Sequence, residues 1–249
     1  MRLPLPEDMV RGIDVQRRDF QVGLRSYLRG EWRNEGWWYY YLYGLALKVP
    51  LGLWGLVALA GVVAVRRPVA GELGVLLPPA VILAFVSSQT GFSHHLRYVL
   101  PVFPFLFIHV ARLVPWARCQ GRARTALVGA LALSAAAASL AVVPHSLSYF
   151  NALAGGTRGG PRHLLDSNVD WGQDLLELQD WMARHPDARP MHLAYFGQVN
   201  PSVEGIVYEP VLAQPSFSSE QISLWSEAFG PRPGLHAISV GYVHGATFP

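Results

Sequence analysis

The sequence is short of charged residues, lysine and cysteine. Only 15% of its 249 residues are Asp, Glu, Lys or Arg, whereas soluble domains carry about a quarter. The single cysteine, Cys119, excludes an internal disulfide and a zinc site built from several cysteines. Lys48 is the one lysine, so arginine supplies almost all of the positive charge. No basic stripe with interleaved aromatic residues is present, and we therefore expect no nucleic-acid partner.

Long apolar runs account for the shortage of charge. Residues 125–143 contain no ionisable side chain, and roughly 20 apolar residues in a helix suffice to cross a bilayer core. Several such runs in a short chain favour membrane spans over the alternative, a buried helix of a large soluble protein. We predict a polytopic α-helical membrane protein with about four spans. The spans are expected near residues 49–65, 73–88, 98–114 and 125–143, within a membrane domain of residues 37–143.

The distribution of arginine predicts how the spans are oriented. The turns at 66–67 and 112–124 are rich in Arg, and short cytoplasmic loops are enriched in basic residues. With these turns in the cytoplasm, residues 1–36 form an extracytoplasmic loop and residues 144–249 an extracytoplasmic tail. The seven Arg of residues 1–36 oppose this orientation, because the rule counts basic residues.

The tail 144–249 has the pattern of a small α/β domain. Apolar residues recur at helical spacing from Asp170 to His185, and Ser167 or Asp170 can cap this helix. The stretches MHLAYFG (191–197) and LHAISVGYV (235–243) have the composition of buried strands. Strands around helices predict an α/β domain that follows the membrane domain.

The segment HHLRY is the first polar cluster with candidate chemistry. His95, Arg97 and Tyr98 stand at the predicted mouth of the third span. A guanidinium binds a lipid phosphate through two parallel hydrogen bonds, so a membrane lipid is a candidate partner. The alternative is ordinary anchoring of the chain at the membrane interface by Arg and Tyr.

The segment DSNVDWGQD is the second cluster. Asp166, Asp170 and Asp174 are four residues apart, so their carboxylates would share one face if all three were helical. Such a face can bind a divalent cation, hold sugar hydroxyls or support acid–base chemistry. Amide groups and a flat ring, of the kind that line carbohydrate sites, come from Asn168, Trp171 and Gln173. The alternative for the aspartates is helix capping and solvated surface.

The order of these segments resembles that in a known class of membrane enzymes. The stretches concerned are SYLRGEWRNEGWWYYYLYGLALKVPL, HHLRYVLPVFPFLF, SYFNALAGGTRGGPRHLLDSNVDWGQDLLELQDW and AYFGQVNPSVEGI. They are similar to the C-terminal half of bacterial glycosyltransferases of the C superfamily, of the protein-mannosyltransferase-like (family 39) and aminoarabinose transferase-like kinds. The resemblance implies a multi-pass enzyme of the cell inner membrane. It would take a sugar from a polyprenyl phosphate at the outer face and transfer it to a glycan or lipid acceptor.

The resemblance also implies roles for the polar residues. In such an enzyme we expect His95, Arg97 and Tyr98 to contact the donor phosphate, and Asp166, Asn168, Asp170 and Gln173 to support the sugar or acceptor side. Enzymes of this family use an acidic residue of their first extracytoplasmic loop, which no segment here matches. The catalytic residue is therefore unknown, and the resemblance implies a fragment, from a truncated gene or a start upstream of Met1. The rival expectation is a non-enzymatic membrane protein whose outer domain binds a glycan or a protein partner.

Overall fold

A computed structural model describes residues 6–119, 121–211 and 233–245. The chain divides into two compact units, Met1–Leu164 and Leu165–Pro249. The first unit is mainly helical, and the second combines a small parallel sheet with helices. The predicted boundary after residue 143 differs from this division, because residues 145–164 pack against the helices of the first unit through contacts described below.

The N-terminal region contains one helix and one hairpin. Helix α1 is Glu7–Val22, and strands β1 (Ser26–Leu28) and β2 (Glu31–Arg33) pair in antiparallel register. The two connecting residues, Arg29 and Gly30, both have positive φ, as a tight two-residue hairpin turn requires. The sequence analysis treated residues 1–36 as a loop and did not predict this hairpin.

A sharply bent pair of helices follows. Helix α2 is Tyr40–Lys48, helix α3 is Leu51–Arg66, and their axes meet at 111°. Pro50 lies at the bend, where a proline cannot donate the next helical hydrogen bond. Helix α4, Glu72–Ser88, is apolar but short and carries Pro78 and Pro79 in its interior.

The next two apolar helices are long enough to cross a membrane. The first runs from Leu96 to Arg118 and consists of a 3₁₀ segment (Leu96–Val102), α5 (Phe103–Ala111) and α6 (Leu113–Arg118). The second is α7, Arg122–Leu140, none of whose residues is buried. In the described part of the chain these are the two single helices of sufficient length and apolarity, and the bent α2–α3 pair makes a third if it is one span. They are consistent with a membrane protein.

Glu72, at the start of α4, interacts with residues near the end of α5. Glu72 is the single Asp or Glu between residues 37 and 143. Its carboxylate accepts a hydrogen bond from Arg112 and lies 3.5 Å from the His109 ring. Arg112 also donates to the carbonyl oxygen of Arg67 at 2.9 Å. The Arg112 charge is thus paired within the bundle, where an unpaired charge would be costly.

The second unit contains a three-stranded parallel sheet. The strand order is β4 (Glu209–Pro210), β3 (Met191–Ala194) and β5 (Leu235–Ile238). Strand β3 is buried throughout, as predicted, whereas β5 is only partly buried and gives way to the short helix α10, Val240–Val243. The one-turn helix α8, Gly156–Gly159, precedes this unit in the chain. Helix α9, Leu175–Arg184, packs Leu175 and Met182 against Met191 and Ile206.

Candidate functional sites, one in each unit

The HHLRY segment is held at the base of the hairpin in the first unit. Ser93, directly before this segment, is hydrogen-bonded to the hairpin and to the residues that lead into α2. Its amide donates to Ser26 Oγ at 2.7 Å, and its Oγ accepts the Trp37 amide at 3.2 Å. Gly36 permits this approach, because a Cβ there would lie 2.2 Å from Ser93 Oγ. Tyr40 donates its hydroxyl to the carbonyl oxygen of His94 at 3.1 Å. The backbone leading into the predicted phosphate cluster is therefore fixed from two sides.

The predicted residues His95, Arg97 and Tyr98 lie together at the start of the Leu96–Arg118 helix. The His95 and Tyr98 rings meet edge to face, 5.6 Å between centroids. The Arg97 guanidinium is exposed and lies 5.7 Å from the Tyr98 ring centroid. No carboxylate in the described ranges is within ion-pair distance of Arg97. Arginine, imidazole and phenol groups that can donate hydrogen bonds are thus gathered at the end of an apolar helix.

Further arginines in this unit lie over aromatic rings, which sequence reasoning missed. Guanidinium carbons are 5.4 Å, 5.8 Å and 5.0 Å from the ring centroids in the pairs Arg25–Trp32, Arg29–Tyr43 and Arg33–Trp37. A partial signal was present in RSYLRGEWRNEGWW, where each of these arginines has an aromatic residue nearby and two glutamates interrupt the positive charge. Such pairs hold a guanidinium in place without neutralising it. Arg33 is in addition paired with the Glu31 carboxylate at 2.9 Å, so the net positive charge of the hairpin is smaller than three arginines would give.

The segment after α7 is anchored to α2 by Asn151. Its side-chain amide donates to the carbonyl oxygens of Ala46 at 2.7 Å and Val49 at 2.8 Å. Its main-chain amide donates to Leu47 at 2.8 Å. These are carbonyls that a helix end leaves without partners. Lys48, the last residue of α2, donates to the carbonyl of Leu147 at 2.6 Å and lies 4.3 Å from the Phe150 ring.

His163 also joins the segment after α7 to α2 and to the hairpin. Tyr43 and His163 share a hydrogen bond, and the Arg29 amide donates to the His163 carbonyl at 3.0 Å. Burial, with the charges of Arg29 and Arg162, lowers the pKa of His163. Protonation of the imidazole is therefore disfavoured at this junction.

The second unit contains a small aromatic pocket. Its volume is about 230 Å³, and it is lined by Trp171, Tyr195, Phe196, Gly197, Gln198 and Tyr242. Trp171 stacks on Phe196 with the centroids 6.0 Å apart and the planes 28° from parallel. Phe196 in turn meets Tyr242 edge to face at 6.5 Å. Trp171 belongs to the DSNVDWGQD cluster. The other aromatic residues of the pocket follow β3 and β5 in the chain, and the sequence analysis did not predict them.

Asp170 lies behind this pocket. Its Oδ1 accepts the Gly172 amide at 2.7 Å, and it shares a hydrogen bond with Ser239. Burial raises the pKa of Asp170, against the lowering effect of these two hydrogen bonds, and the charge of Asp174 raises it further. Burial and the Asp170 charge both raise the pKa of Tyr195 and that of Tyr242. Of the four predicted polar residues in this unit, Asp170 is thus the one whose charge reaches the pocket.

The helix predicted over residues 170–185 is present, but its predicted start is wrong, since α9 begins at Leu175. Gly172 with φ of +77° and the Asp170–Gly172 hydrogen bond form a turn instead. Asp166, itself at φ of +58°, lies in a separate 3₁₀ turn, Asp166–Asn168. The three carboxylates therefore do not share one helical face. Within the described ranges, no group of three or more His, Cys, Asp or Glu side chains is placed to hold a metal ion.

Asn168 and Gln173 have local structural contacts. The buried Asn168 donates its amide to the carbonyl of Leu165 at 3.0 Å. Gln173 donates to the carbonyl of Val169 at 3.1 Å and accepts the Trp171 amide at 2.7 Å. Asp166 accepts the Ser167 amide at 2.7 Å. These side chains shape the loop that presents Trp171.

Comparisons with protein-family models, curated proteins and solved structures find no match to this chain. The functional assignment therefore depends on the two sites themselves: a cluster of Arg, His and Tyr in the helical unit, and an aromatic pocket beside a carboxylate in the α/β unit.

Proposed function

We propose that this chain is the C-terminal portion of a membrane glycosyltransferase that takes a sugar from a polyprenyl-phosphate donor. In this proposal four spans cross the inner membrane, and the tail 144–249 lies outside the cytoplasm. The observation that carries the proposal is the position of Arg97, an exposed guanidinium without a carboxylate partner in the described ranges, at the start of an apolar helix long enough to cross a bilayer.

The electrostatics of this position support a phosphate ligand. A guanidinium next to hydrocarbon is costly unless it reaches water or an anion. A phosphate accepts two parallel hydrogen bonds from arginine, and Tyr98 and His95 can donate to the same group. The neighbouring Arg25 and Arg29 add positive charge on the hairpin, whereas the charge of Arg33 is paired with Glu31. A polyprenyl phosphate combines an apolar tail with one anionic group, which fits an arginine at the end of an apolar helix.

Binding of the lipid tests the proposal without requiring turnover. The full chain in nanodiscs is titrated with undecaprenyl phosphate and, separately, with undecaprenol, which has the same tail and no phosphate. The proposal predicts saturable binding of the phosphate and much weaker binding of the alcohol. Equal affinity for the two lipids would show that only the tail is recognised, which would contradict a phosphate site.

A second candidate function is favoured by the pocket of the second unit. A cavity with aromatic walls and a nearby carboxylate is suited to bind a ligand, independently of any function of the apolar helices in the first unit. In this alternative the chain is a non-enzymatic membrane protein whose outer domain binds a glycan or a protein partner. It predicts glycan binding by the second unit together with no preference for undecaprenyl phosphate over undecaprenol.

A further inference from the structure

We infer that the pocket lined by Trp171, Tyr195, Phe196, Gly197, Gln198 and Tyr242 binds one uncharged pyranose ring of a glycan, with the ring stacked on an aromatic wall. The inference rests on the proposed function for the expectation that a glycan reaches this unit. Its geometric basis lies within the second unit alone. Apart from Trp171, the residues that line the pocket lie outside the DSNVDWGQD segment.

The size of the pocket limits the ligand to one small ring. Its volume of about 230 Å³ is below the roughly 300–1,000 Å³ of sites that enclose drug-sized molecules. The side chain of Trp171 is 39% exposed. An exposed indole beside a cavity presents an apolar surface that a sugar can cover with the C–H face of its ring.

The polar groups of the pocket match hydroxyls. Tyr195 donates its hydroxyl to the carbonyl of Gly172 at 3.1 Å, so its oxygen retains the capacity to accept a hydrogen bond. The amide of Gln198, at the exposed rim, contains both donors and an acceptor. A sugar hydroxyl likewise both donates and accepts, so these groups suit a hydroxyl better than they suit a purely apolar ligand.

The charge around the pocket excludes an anionic ligand. No Lys or Arg is among the described residues that line it. The carboxylate of Asp170 interacts electrostatically with both Tyr195 and Tyr242, which line the pocket. A phosphate or carboxylate in the pocket would meet this acid without a cation to offset the repulsion. The ligand is therefore a neutral ring, in contrast to the phosphate proposed for the first unit.

Two glycines hold the wall of the pocket in position. A Cβ at Gly172 would lie 2.2 Å from the Tyr195 hydroxyl oxygen, and a Cβ at Gly197 would lie 2.1 Å from it. The Tyr195 ring therefore occupies space that only glycine leaves open on both sides. Because the ring is confined, less side-chain entropy is lost when a ligand binds.

Saturation-transfer NMR on the detergent-solubilised full chain tests the inference. The probes are methyl β-D-glucopyranoside, methyl α-D-mannopyranoside and methyl β-D-galactopyranoside, with glucuronic acid as an anionic comparison. At least one neutral glycoside should show saturable transfer to its ring C–H protons, and glucuronic acid should show much less. Trp171→Ala should weaken binding about tenfold or more, whereas Trp171→Phe, which keeps a ring, should weaken it less.

The control variant is Trp38→Ala, which removes an exposed tryptophan from the first unit and should leave glycoside binding unchanged. Absence of binding by all three neutral glycosides would overturn the inference. Stronger binding of glucuronic acid, or glycoside binding that survives Trp171→Ala, would also overturn it. Glycoside binding without a preference for undecaprenyl phosphate would contradict the proposed donor alone, and the reverse result would contradict the pocket inference alone.

Discussion

Gly52 of α3 lies so close to α7 that a Cβ at this position would come within 2.4 Å of the carbonyl oxygen of Leu131 and 2.8 Å of the Ala135 amide nitrogen. Both atoms belong to the backbone and cannot rotate away. Leu56, Ala60 and Val63 continue the buried face of α3 and pack with Val128 and Leu131 of α7. Contact between helix backbones through small residues is a common way to associate helices in a membrane.

Gly52→Ala should therefore separate α3 from α7. We expect a loss of about 1–3 kcal/mol, the usual range for overpacking a closely packed contact. The measurement is the thermal unfolding temperature of the purified chain in detergent. Gly61→Ala is the matched control, because Gly61 is on the same helix and a Cβ there would meet nothing within 4 Å. Equal unfolding temperatures for the two variants would contradict the close contact.

Asn151→Ala should destabilise the first unit more than substitution of a surface asparagine does. The substitution removes two hydrogen bonds to the carbonyls of Ala46 and Val49 at a buried position. Leaving buried acceptors without donors costs about 1–3 kcal/mol for each group. Asn151→Asp should be at least as harmful, since a carboxylate cannot donate to a carbonyl. Unfolding in detergent is compared with Asn34→Ala, an exposed control, and wild-type stability of Asn151→Ala would refute this anchoring role.

The His163 junction should weaken in mild acid. The pKa of His163 is lowered in the folded chain, mainly by burial, so the unfolded chain binds a proton more readily. Its contribution to stability is then present above the unfolded pKa of about 6.5 and is lost as the pH falls through the folded value. The unfolding temperature of the wild type should fall more steeply below that pH than that of His163→Gln. Parallel pH profiles would show that another group determines the dependence.

The single cysteine provides a test of the proposed orientation. Cys119 is exposed and lies in the turn between α6 and α7, which the proposal assigns to the cytoplasm. A membrane-impermeant maleimide should label it only after the cells are permeabilised. In a Cys119→Ser background, Ser202→Cys introduces a thiol at an exposed position of the second unit and should be labelled in intact spheroplasts. The opposite pattern would reverse the topology.

The sequence predicts local features of this fold better than its long-range contacts. Apolar composition alone indicated the helices that end at Arg66 and Arg118. The run without charged residues at 125–143 indicated α7. The bend between α2 and α3 also has a local cause, because Pro50 cannot continue a helix. The contact of Ser26 with Ser93 joins residues that are 67 positions apart, and no periodicity reports such a pair.

The candidate sites show the same limit. His95, Arg97 and Tyr98 could be grouped from the sequence because they are neighbours in the chain. The aromatic pocket could not, since Trp171 meets Phe196 and Tyr242 only after the strands are paired. The even spacing of Asp166, Asp170 and Asp174 favoured one helical face, but Gly172 in a left-handed conformation interrupts the helix before Leu175. A local pattern was outweighed there by turn geometry.

The central claim is that Arg97 binds the phosphate of a polyprenyl-phosphate lipid, and substitution of this residue tests it most directly. Undecaprenyl phosphate is titrated into nanodiscs that contain the wild type, Arg97→Lys, Arg97→Ala or Arg118→Ala. Arg118 is the matched control, because it is also exposed and lies at the opposite end of the same helix.

We expect Arg97→Ala to weaken binding of the lipid by about tenfold or more and Arg97→Lys to recover only part of the loss, because lysine lacks the paired donors of a guanidinium. Arg118→Ala should bind as the wild type does, and undecaprenol affinity should be the same in all four proteins. Unchanged affinity for undecaprenyl phosphate in a folded Arg97→Ala protein would contradict the account and leave Arg97 as an anchor at the membrane interface.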